Sequence, residues 1–456
     1  MALRFDILHR SSSTLARLGR VHTAHGPFDT PAFMPVGTRA AVKGLFPGHV
    51  ARIGAQIVLA NTYHLLLRPG DETVKRLGGL HRFMNWHGPI LTDSGGYQAY
   101  SMADINTVSD DGVRFKSIID GSIISLSPER AIQIQNNLGA DIIMAFDDCP
   151  PSVDPQAGPV NQTRLRQAAA RDARAMADAD SPDADRPLPR PFQRPRLPRG
   201  YDHAQRLRIA NERTVHWLLR CRSAHARPGD QSLFGIVQGG TDLSARDWSA
   251  QRVTNIDLPG YAIGGVAVGE QSDDIARVVR HTAPLLPDAK PRYLMGVGYE
   301  RDLVAAVRAG VDMFDCVLPT RNGRNANAFT PTGQIRLRNA AYAHDPRPIQ
   351  PGCDCPACAP TAFEAFFGSP AVKLMPSPAP NTNLPLNGSE LPGSDSPFSR
   401  AYIRHLFFAK EMLGPILVSL HNLRHFQRFM EDLRGVVRTD DWAGFGSRWP
   451  VAADGL

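Results

Sequence analysis

The sequence contains little cysteine and no long apolar segment. Six cysteines occur in 456 residues, and three of them lie close together near the C-terminal end. This usage argues against a disulfide scaffold and favours a reducing compartment. No apolar run approaches the roughly 20 residues that a membrane helix requires, and the first residues lack the apolar core of a secretory signal. We therefore expect a soluble, cytoplasmic protein that has no membrane partner.

Two stretches have a composition that disfavours regular secondary structure. Residues 155–200 contain arginines alternating with prolines, and residues 360–397 are rich in Pro, Ser, Asn and Gly. Proline fixes φ and removes a backbone donor, so both stretches are interpreted as surface insertions, the first as a partly disordered loop. The first contributes to the formal net charge of +7, which favours a polyanionic partner such as nucleic acid. It is either a solvated linker or an additional arm that contacts phosphates.

Eight short apolar runs alternate with stretches of helical spacing. Continuous runs of this length are typical of strands that are buried on both faces of a parallel sheet. The runs are Pro31–Gly37, Ala55–Asn61, Pro89–Asp93, Asp141–Asp147, Leu233–Gln238, Tyr261–Val266, Arg292–Gly296 and Met313–Leu318. Residues 127–138, which open with a capping pattern, and residues 300–309 are two of the predicted helices. The alternation predicts an α/β fold, a (β/α)8 TIM barrel.

Acidic residues and glycines follow several of these runs. They are Asp93-Ser94-Gly95-Gly96, Asp147-Asp148-Cys149, Gln238-Gly239-Gly240, Gly264-Gly265 and Asp315. In a barrel these positions gather at the C-terminal mouth, where barrel enzymes keep their catalytic groups. Such residues are also common in turns, but turn formation alone does not explain acids after several successive strands.

The pattern Cys353-x-Cys355-x-x-Cys358 indicates a metal site. Three thiolates on a tight turn can share one tetrahedral zinc ion, and a fourth ligand would leave no open position, so we predict one structural Zn²⁺. His421 lies in a stretch of helical character and is a candidate for that ligand. Spacing alone does not separate this role from that of an ordinary surface or core histidine.

These features divide the chain into two parts. Residues 1–345 are predicted to form the barrel, interrupted by the insertion at 155–200. Residues 346–456 are predicted to form a zinc-binding subdomain with C-terminal helices, interrupted by the insertion at 360–397.

Taken together, the motifs resemble those of one family, the tRNA-guanine transglycosylases or queuine tRNA-ribosyltransferases. The stretches that carry the resemblance are Asn61–Leu65, Thr92–Gln98, Phe115–Ser117, Ser127–Glu129, Asp141–Asp147, Val237–Gly239, Gly264–Glu270, Tyr293–Gly298 and Met313–Asn325. They cover nearly all of the chain outside the insertions. The family also has a Cys-x-Cys-x-x-Cys site that is completed by the histidine of a His-Asn pair such as His421-Asn422. The resemblance therefore implies a barrel with a zinc subdomain near its C-terminal end, and it makes His421 the fourth ligand.

The resemblance also implies an activity. Members exchange guanine at the wobble position (position 34) of tRNA for a 7-deazaguanine base, a step of queuosine biosynthesis. The exchange breaks one N-glycosidic bond and makes another at the same carbon, and a carboxylate nucleophile can hold the ribose between the two steps. By resemblance the nucleophile is Asp315 and the general acid/base is Asp93.

Base recognition and RNA binding are implied in the same way. The substrate-binding residues are Asp147, Gln238, Gly265, Val266, Tyr97, Met295 and Glu270. Asp147 would accept from N1 and the exocyclic amine of the base, Gln238 and the Gly265 N–H would serve O6, and Tyr97 and Met295 would sandwich the ring. Arg321 and Arg324 would contact the tRNA around the target nucleotide. The residues alone, without the resemblance, favour Met295 as an ordinary core residue and Tyr97 as a loop aromatic.

The identity of the incoming base is predicted from fewer positions. Val268 and Cys149 follow the pattern of bacterial members, which use 7-aminomethyl-7-deazaguanine, and Glu270 would receive the aminomethyl cation. Asp148 and residues 99–102 depart from that pattern. A queuine-inserting enzyme of the eukaryotic type is the alternative.

Three other functions are less well supported by the sequence. A non-catalytic RNA-binding subunit would lack the full set of acids, and an archaeosine-type enzyme would carry an additional C-terminal RNA-binding domain that we do not expect here. A nucleoside hydrolase would not explain the arginines after Asp315 or the zinc site. Bacterial members are homodimers, so we also expect a homodimer.

Overall fold

The computed structural model describes residues 3–101, 106–152, 154, 200–267, 270–359 and 398–456. Apart from Gly200, the two predicted insertions lie outside the described residues, and the interpretation of both stays a prediction. In the part of the chain that the structure describes, no helix is long and apolar enough to cross a membrane.

The described strands form four sheets, one of them parallel and barrel-forming. The strands are β1 (Arg4–Arg10), β2 (Arg17–Thr23), β3 (Gly26–Thr30), β4 (Ala32–Met34), β5 (Val36–Gly37), β6 (Val58–Ala60), β7 (Ile90–Thr92), β8 (Asn106–Ser109), β9 (Gly112–Lys116), β10 (Ile123–Leu126), β11 (Ile142–Met144), β12 (Ser232–Val237), β13 (Gly260–Ile263), β14 (Arg292–Leu294), β15 (Met313–Asp315), β16 (Asn327–Thr330) and β17 (Gly333–Arg336). β1–β3 and β8–β10 are antiparallel sheets, and β16 and β17 form a hairpin.

The helices occupy the segments between the strands and the C-terminal region. They are α1 (Pro47–Arg52), α2 (Thr62–Leu67), α3 (Asp71–Arg76), α4 (Gly79–Met84), α5 (Gly96–Ser101), α6 (Pro128–Leu138), α7 (His203–Ala224), α8 (Leu243–Thr254), α9 (Ser272–Thr282), α10 (Glu300–Arg308), α11 (Leu318–Arg324), α12 (Arg400–Phe408), α13 (Leu413–Thr439) and α14 (Trp442–Arg448). Short 3₁₀ turns cover Ala283–Leu285, Ala340–Tyr342 and Pro450–Gly455. Ser127 caps α6 as the sequence predicts, because its hydroxyl accepts from the backbone N–H of Arg130 at 3.2 Å.

The parallel sheet is a closed barrel with eight strand positions. Its order is β4-β15-β14-β13-β12-β11-β7-β6-β5. β4 and β5 are separated only by Pro35, which cannot donate to a ladder, and together they occupy one position. β4 pairs with β15 and β5 pairs with β6, both in parallel, so the sheet closes on itself. The predicted α/β barrel is confirmed.

Alternating side chains along the strands form two apolar layers, as the period of a strand requires. Ile142 and Met144 point into the barrel, while Ile143 packs against the outer helices. Val21 and Phe28 of the β2–β3 hairpin belong to the inner layer. Because β3 leads directly into β4, this hairpin covers the N-terminal end of the barrel and leaves the C-terminal mouth for the functional groups.

A separate small core surrounds the cysteines near the C-terminal end. Cys353, Cys355 and Cys358 are buried with Ile403, Leu406, Leu417 and Val418. Helix α13 joins this core to the barrel, since Leu420 and Leu423, further along it, belong to the barrel core. The boundary at residue 345 stays a prediction.

Candidate active site

Three aspartates lie at the C-terminal ends of three barrel strands. Asp93 directly follows β7, Asp147 follows β11, and Asp315 is the last residue of β15. Asp93 and Asp147 are buried and Asp315 is half-buried. They share one site, because the charges of Asp315 and Asp147 both raise the pKa of Asp93.

Asp93 is fixed by the loop that follows β6. The backbone N–H of Thr62 donates to its Oδ1 at 2.8 Å, and the side-chain amide of Asn61 donates to Oδ2. Burial raises the pKa of Asp93 to about 7, more than the Thr62 hydrogen bond lowers it. A carboxyl group with a pKa near 7 both gives and accepts a proton at neutral pH, as a general acid/base must.

Asp147 is held by two side chains from neighbouring strand ends. The Ser94 hydroxyl donates to Oδ1 at 2.9 Å, and Nε2 of Gln238 donates to Oδ2 at 2.6 Å. Burial raises the pKa of Asp147 to about 6 in spite of these two bonds. Above that pH the group is a carboxylate that accepts hydrogen bonds.

Asp315 receives two hydrogen bonds, both on Oδ1. The donors are the Tyr293 hydroxyl at 2.6 Å and the backbone N–H of Gly296 at 2.8 Å. Burial raises the pKa of Asp315, and the Tyr293 and Gly296 hydrogen bonds oppose this. Both bonds fix the plane of the carboxylate from one side.

Gln238 and Gly265 lie against each other at the ends of β12 and β13. Gly265 has a φ of +63°, and a Cβ there would lie 2.3 Å from Oε1 of Gln238. Only glycine therefore fits this position without displacing Gln238.

Arg246 of α8 connects the loop after β12 to the loop after β13. Its guanidinium is buried and donates to the carbonyl oxygens of Val237 at 2.9 Å, Gly240 at 3.0 Å and Gly265 at 3.1 Å. Burial lowers the pKa of Arg246 to about 10, so it is still charged at neutral pH. The sequence analysis missed this residue because nothing in the α8 pattern distinguishes it from a surface arginine.

The remaining predicted base-binding residues lie around the same mouth. Val266 is buried after β13, and Met295 is half-buried after β14 against the inner apolar layer. Tyr97 of α5 is 36% exposed. Glu270 is half-buried, and its charge adds to the effects of burial and Asp147 in raising the pKa of the Cys149 thiol.

Val268 contributes to the prediction of the incoming base, and Asp148 is a departure from the bacterial pattern. Val268 lies outside the described residues. Asp148 is buried and faces helix α7, where Arg206 donates to it at 2.6 and 2.9 Å and Arg213 at 2.7 Å. Its carboxylate therefore binds α7 to the loop after β11.

The predicted RNA-binding arginines lie on α11, the helix that follows Asp315. Arg321 and Arg324 are both partly exposed. Burial raises the pKa of the Cys316 thiol to about 12, and the charge of Arg321 opposes this, which places Arg321 near the residue after Asp315. Arg321 and Asp315 thus lie on the same side of the barrel mouth.

The structure brings together all four predicted metal ligands. Nδ1 of His421 lies 3.6, 3.4 and 3.4 Å from the sulfurs of Cys353, Cys355 and Cys358, and all four residues are buried. A tetrahedral zinc ion with ordinary bond lengths separates sulfur and nitrogen ligands by about 3.5 Å. The Phe329 carbonyl lies 2.8 Å from Nε2 of His421, which holds the ring proton there and leaves Nδ1 for a metal. The cluster can hold one metal ion.

The family model described as "Queuine tRNA-ribosyltransferase" matches residues 11–184, 196–365 and 393–451. The chain belongs to the queuine tRNA-ribosyltransferase family. This confirms the family predicted from the motifs, and with it the prediction of an enzyme, a tRNA-guanine transglycosylase.

Curated relatives agree with the family over almost their whole length. A queuine tRNA-ribosyltransferase of Symbiobacterium thermophilum is 44% identical over 98% of this chain and 92% of its own. One of Halothermothrix orenii is 43% identical over 96% of this chain and 95% of its own. One of Lysinibacillus sphaericus is 41% identical over 97% and 94%.

Two further residues of the queuine tRNA-ribosyltransferase site were not predicted as site residues. Asn61, at the end of β6, donates to Asp93, and Tyr293, within β14, donates to Asp315, the two aspartates that are predicted to be catalytic. The sequence could have indicated Tyr293, because a tyrosine inside an apolar strand needs a hydrogen-bond partner for its hydroxyl.

Proposed function

We propose that the chain exchanges guanine at the wobble position of tRNA for 7-aminomethyl-7-deazaguanine, in queuosine biosynthesis. The observation that carries this proposal is the group of three aspartates at the barrel mouth, each with a raised pKa and each with its own set of donors. Pairs of titratable groups whose pKa values are moved by their surroundings are typical of acid/base chemistry.

In the first step Oδ2 of Asp315 attacks C1′ of the target nucleotide. The new C1′–O bond forms as the C1′–N9 bond breaks, and the electron pair of that bond goes to the departing guanine. Asp93, which is protonated below about pH 7, gives guanine its proton. Oδ1 of Asp315 keeps its bonds to Tyr293 and Gly296, which orient the attacking oxygen.

In the second step the incoming base loses its N9 proton to the Asp93 carboxylate. Its N9 attacks C1′ and displaces Asp315, which returns to its ionised form. Each proton that leaves Asp93 in the first step returns in the second. The double displacement therefore needs no cofactor in the reaction itself.

Both bases would bind in the same place between Asp147 and Gln238. The Asp147 carboxylate would accept from N1–H and the exocyclic amine, and Gln238 with the Gly265 N–H would donate to O6. Tyr97 and Met295 would cover the two faces of the ring. Glu270, whose charge acts on Cys149 near Asp147, would receive the aminomethyl cation.

The tRNA would be held by α11. The target base has to leave its stack to reach the pocket, and Arg321 and Arg324 are positioned on the helix that follows the nucleophile. Guanidinium groups suit both phosphates and base edges.

We propose zinc as the ion of the Cys353, Cys355, Cys358 and His421 cluster. Three thiolates and one imidazole would fill a tetrahedral ion, so its role would be structural. The four ligands come from a loop and from α13, and the ion would hold these segments together.

We also propose a homodimer in the cytoplasm. The described cysteines form no disulfide, which suits a reducing compartment. Phe46 and Met412 are 73% and 79% exposed, and a Cβ at Gly44 would lie 3.3 Å from Ile416, which brings the loop of Phe46 next to the start of α13. An apolar surface of this kind is suited to covering by a second copy.

The test is base exchange on a tRNA whose wobble guanine carries a radiolabel in a U-G-U context. Release of label with 7-aminomethyl-7-deazaguanine alone is expected. Release with queuine would support the enzyme and contradict the choice of base. Release with neither would contradict the proposed function and favour an RNA-binding protein.

A further inference from the structure

Two histidines and an aspartate form a cluster at the end of the barrel opposite the active site. His25 lies in the turn of the β2–β3 hairpin, His81 lies on α4, and Asp141 immediately precedes β11. The Asp141 carboxylate is fully buried, whereas the side chains of His25 and His81 are 41% and 13% exposed. The proposed transglycosylase mechanism makes no use of these groups.

The ligand atoms of this cluster are close to the spacing of a metal site. Nδ1 of His25 lies 2.9 Å from one oxygen of Asp141, and Nε2 of His81 lies 3.1 Å from the other. All three ligand atoms are within 4.8 Å of one another. In a tetrahedral zinc site with nitrogen and oxygen ligands the corresponding separation is about 3.3 Å.

We propose that His25, His81 and Asp141 bind a second divalent transition-metal ion. Two imidazoles and one carboxylate suit Zn²⁺, Co²⁺ or Ni²⁺ and disfavour Mg²⁺ and Ca²⁺, which prefer oxygen ligands. Three protein ligands leave at least one position for water. The ion joins the hairpin, α4 and the start of β11, the three segments that meet at the N-terminal end of the barrel.

Metal binding requires one movement. The two imidazole rings are stacked, with their centroids 3.4 Å apart and their planes at 13°, and the in-plane lone pairs of nearly parallel rings do not converge on one point. His25 is the more exposed of the two, so its ring is the one that turns. The backbone N–H of His25 donates to Asp141 at 3.1 Å and keeps the hairpin in place while the ring turns.

The experiment is a titration of the zinc-loaded, tag-free protein with Co²⁺, followed by calorimetry and by visible absorption. One further equivalent is expected, without the thiolate-to-cobalt absorption that exchange into the cysteine cluster would produce. Added Co²⁺ should also raise the melting temperature, since it binds only the folded state. His25→Ala and His81→Ala should each weaken the additional binding by about tenfold or more.

His281→Ala is the matched control, because it removes another exposed histidine that contacts a carboxylate, that of Asp247 at 2.6 Å. This variant should bind the additional ion like the unaltered protein. Absence of the additional equivalent, or its persistence in both His25→Ala and His81→Ala, would overturn the proposal. His25→Ala keeps the backbone bond to Asp141, so it gives a result even where His81→Ala fails to fold.

Discussion

Among the single residues at the barrel mouth, Asp315 is the one at which a substitution should have clearly different effects on activity and on stability. Asp315→Asn keeps an oxygen that accepts from Tyr293 and Gly296 but removes the proposed nucleophile, so exchange and the covalent tRNA adduct should both disappear. The pKa of Asp315 is raised in the folded state, so ionisation of this group destabilises the fold. The resulting loss of folding stability begins as pH rises past the pKa of the unfolded state and is complete once pH exceeds the pKa of the folded state.

The melting temperature of Asp315→Asn should therefore match that of the unaltered protein near pH 4 and exceed it at pH 8. Thermal unfolding at the two pH values measures this, and gel shift of denatured tRNA complexes measures the adduct. A fully active variant would refute the assignment of Asp315, and a variant less stable at pH 8 would refute the role of its buried charge.

The proposed role of Asp93 predicts that the rate of the first step, the release of guanine, depends on pH. Because burial raises the pKa of Asp93 to about 7, its acid form, which we propose as the proton donor to guanine, declines about tenfold per pH unit above that value. Release of labelled guanine in a single turnover should fall as pH rises from 7 to 9. A rate that is constant across this range would show that another group supplies the proton.

Glu270 provides a test of base selectivity with an internal control. Glu270→Gln removes the charge that would pair with the aminomethyl cation, so the KM for 7-aminomethyl-7-deazaguanine should rise by about tenfold, in line with about 1.4 kcal/mol for a partly buried charge contact. Guanine lacks that cation, and its KM should change little. Equal changes for both bases would point to a general disturbance of the pocket.

The motifs predicted candidate reacting residues but not the groups that orient their side chains. Asp93, Asp147 and Asp315 stand in motifs that resemble a known family, and their places at strand ends follow from the apolar pattern. Tyr293 and Arg246 act across strands, on oxygens that are distant in sequence. Such contacts depend on which strands become neighbours and how far each barrel strand is staggered, which local patterns do not encode.

Among the elements, α11 and α13 make the closest helix–helix contact near the site. A Cβ at Gly323 of α11 would lie 2.8 Å from Cα of Ser419 on α13. The side-chain amide of Asn422 on α13 also donates to the carbonyl of Pro319, in the first turn of α11, at 2.9 Å and to that of Asn327, at the start of β16, at 3.0 Å. Helix α13 thus sets the position of the helix that carries Arg321.

Gly323→Ala should displace α11, because the backbone of Ser419 cannot yield as a flexible side chain would. We expect a loss of stability of about 1–3 kcal/mol and a higher KM for tRNA, with less effect on the KM for the free base. Gly435→Ala is the control, since a Cβ at that position of α13 meets nothing within 4 Å. It should be neutral or stabilising by up to about 1 kcal/mol. Similar losses in both variants would contradict the close-contact argument.

Elements whose burial is complete were easier to predict than elements with one exposed face. All eight apolar runs overlap a barrel strand, although β12 and β13 each begin one residue before the run and the run that ends at Leu318 includes the first residue of α11. The sheets β1–β3 and β8–β10 were not predicted, because strands such as β1 and β10 are largely exposed and mix polar and apolar residues. Their existence depends on pairing with neighbours rather than on a continuous apolar run.

In the molecule as a whole, the cysteine cluster and the barrel are expected to unfold together. Helix α13 carries His421 and contributes Val418 to the subdomain core and Leu423 to the barrel core. Phe329 bonds to both His421 and Asn422, with its carbonyl oxygen and its N–H respectively. Loss of the ion would therefore loosen α13 at the point where it supports α11.

Removal of the metal should for this reason lower stability and tRNA exchange in parallel. Cys355→Ser in the His25→Ala background, where binding at the proposed second site is weakened, should contain no tightly bound zinc by elemental analysis and should melt at a lower temperature. Cys221→Ser is the control, because Cys221 is equally buried but lies against Phe146 and Pro128 instead of the cluster. It should keep one zinc ion per chain and most of its activity, since it leaves the four ligands and α13 intact. A zinc-free Cys355→Ser protein with unchanged melting temperature and unchanged KM for tRNA would contradict this prediction. It would show that the cluster and the barrel mouth are independent, and that α13 does not transmit the loss of the ion to Arg321 and Arg324.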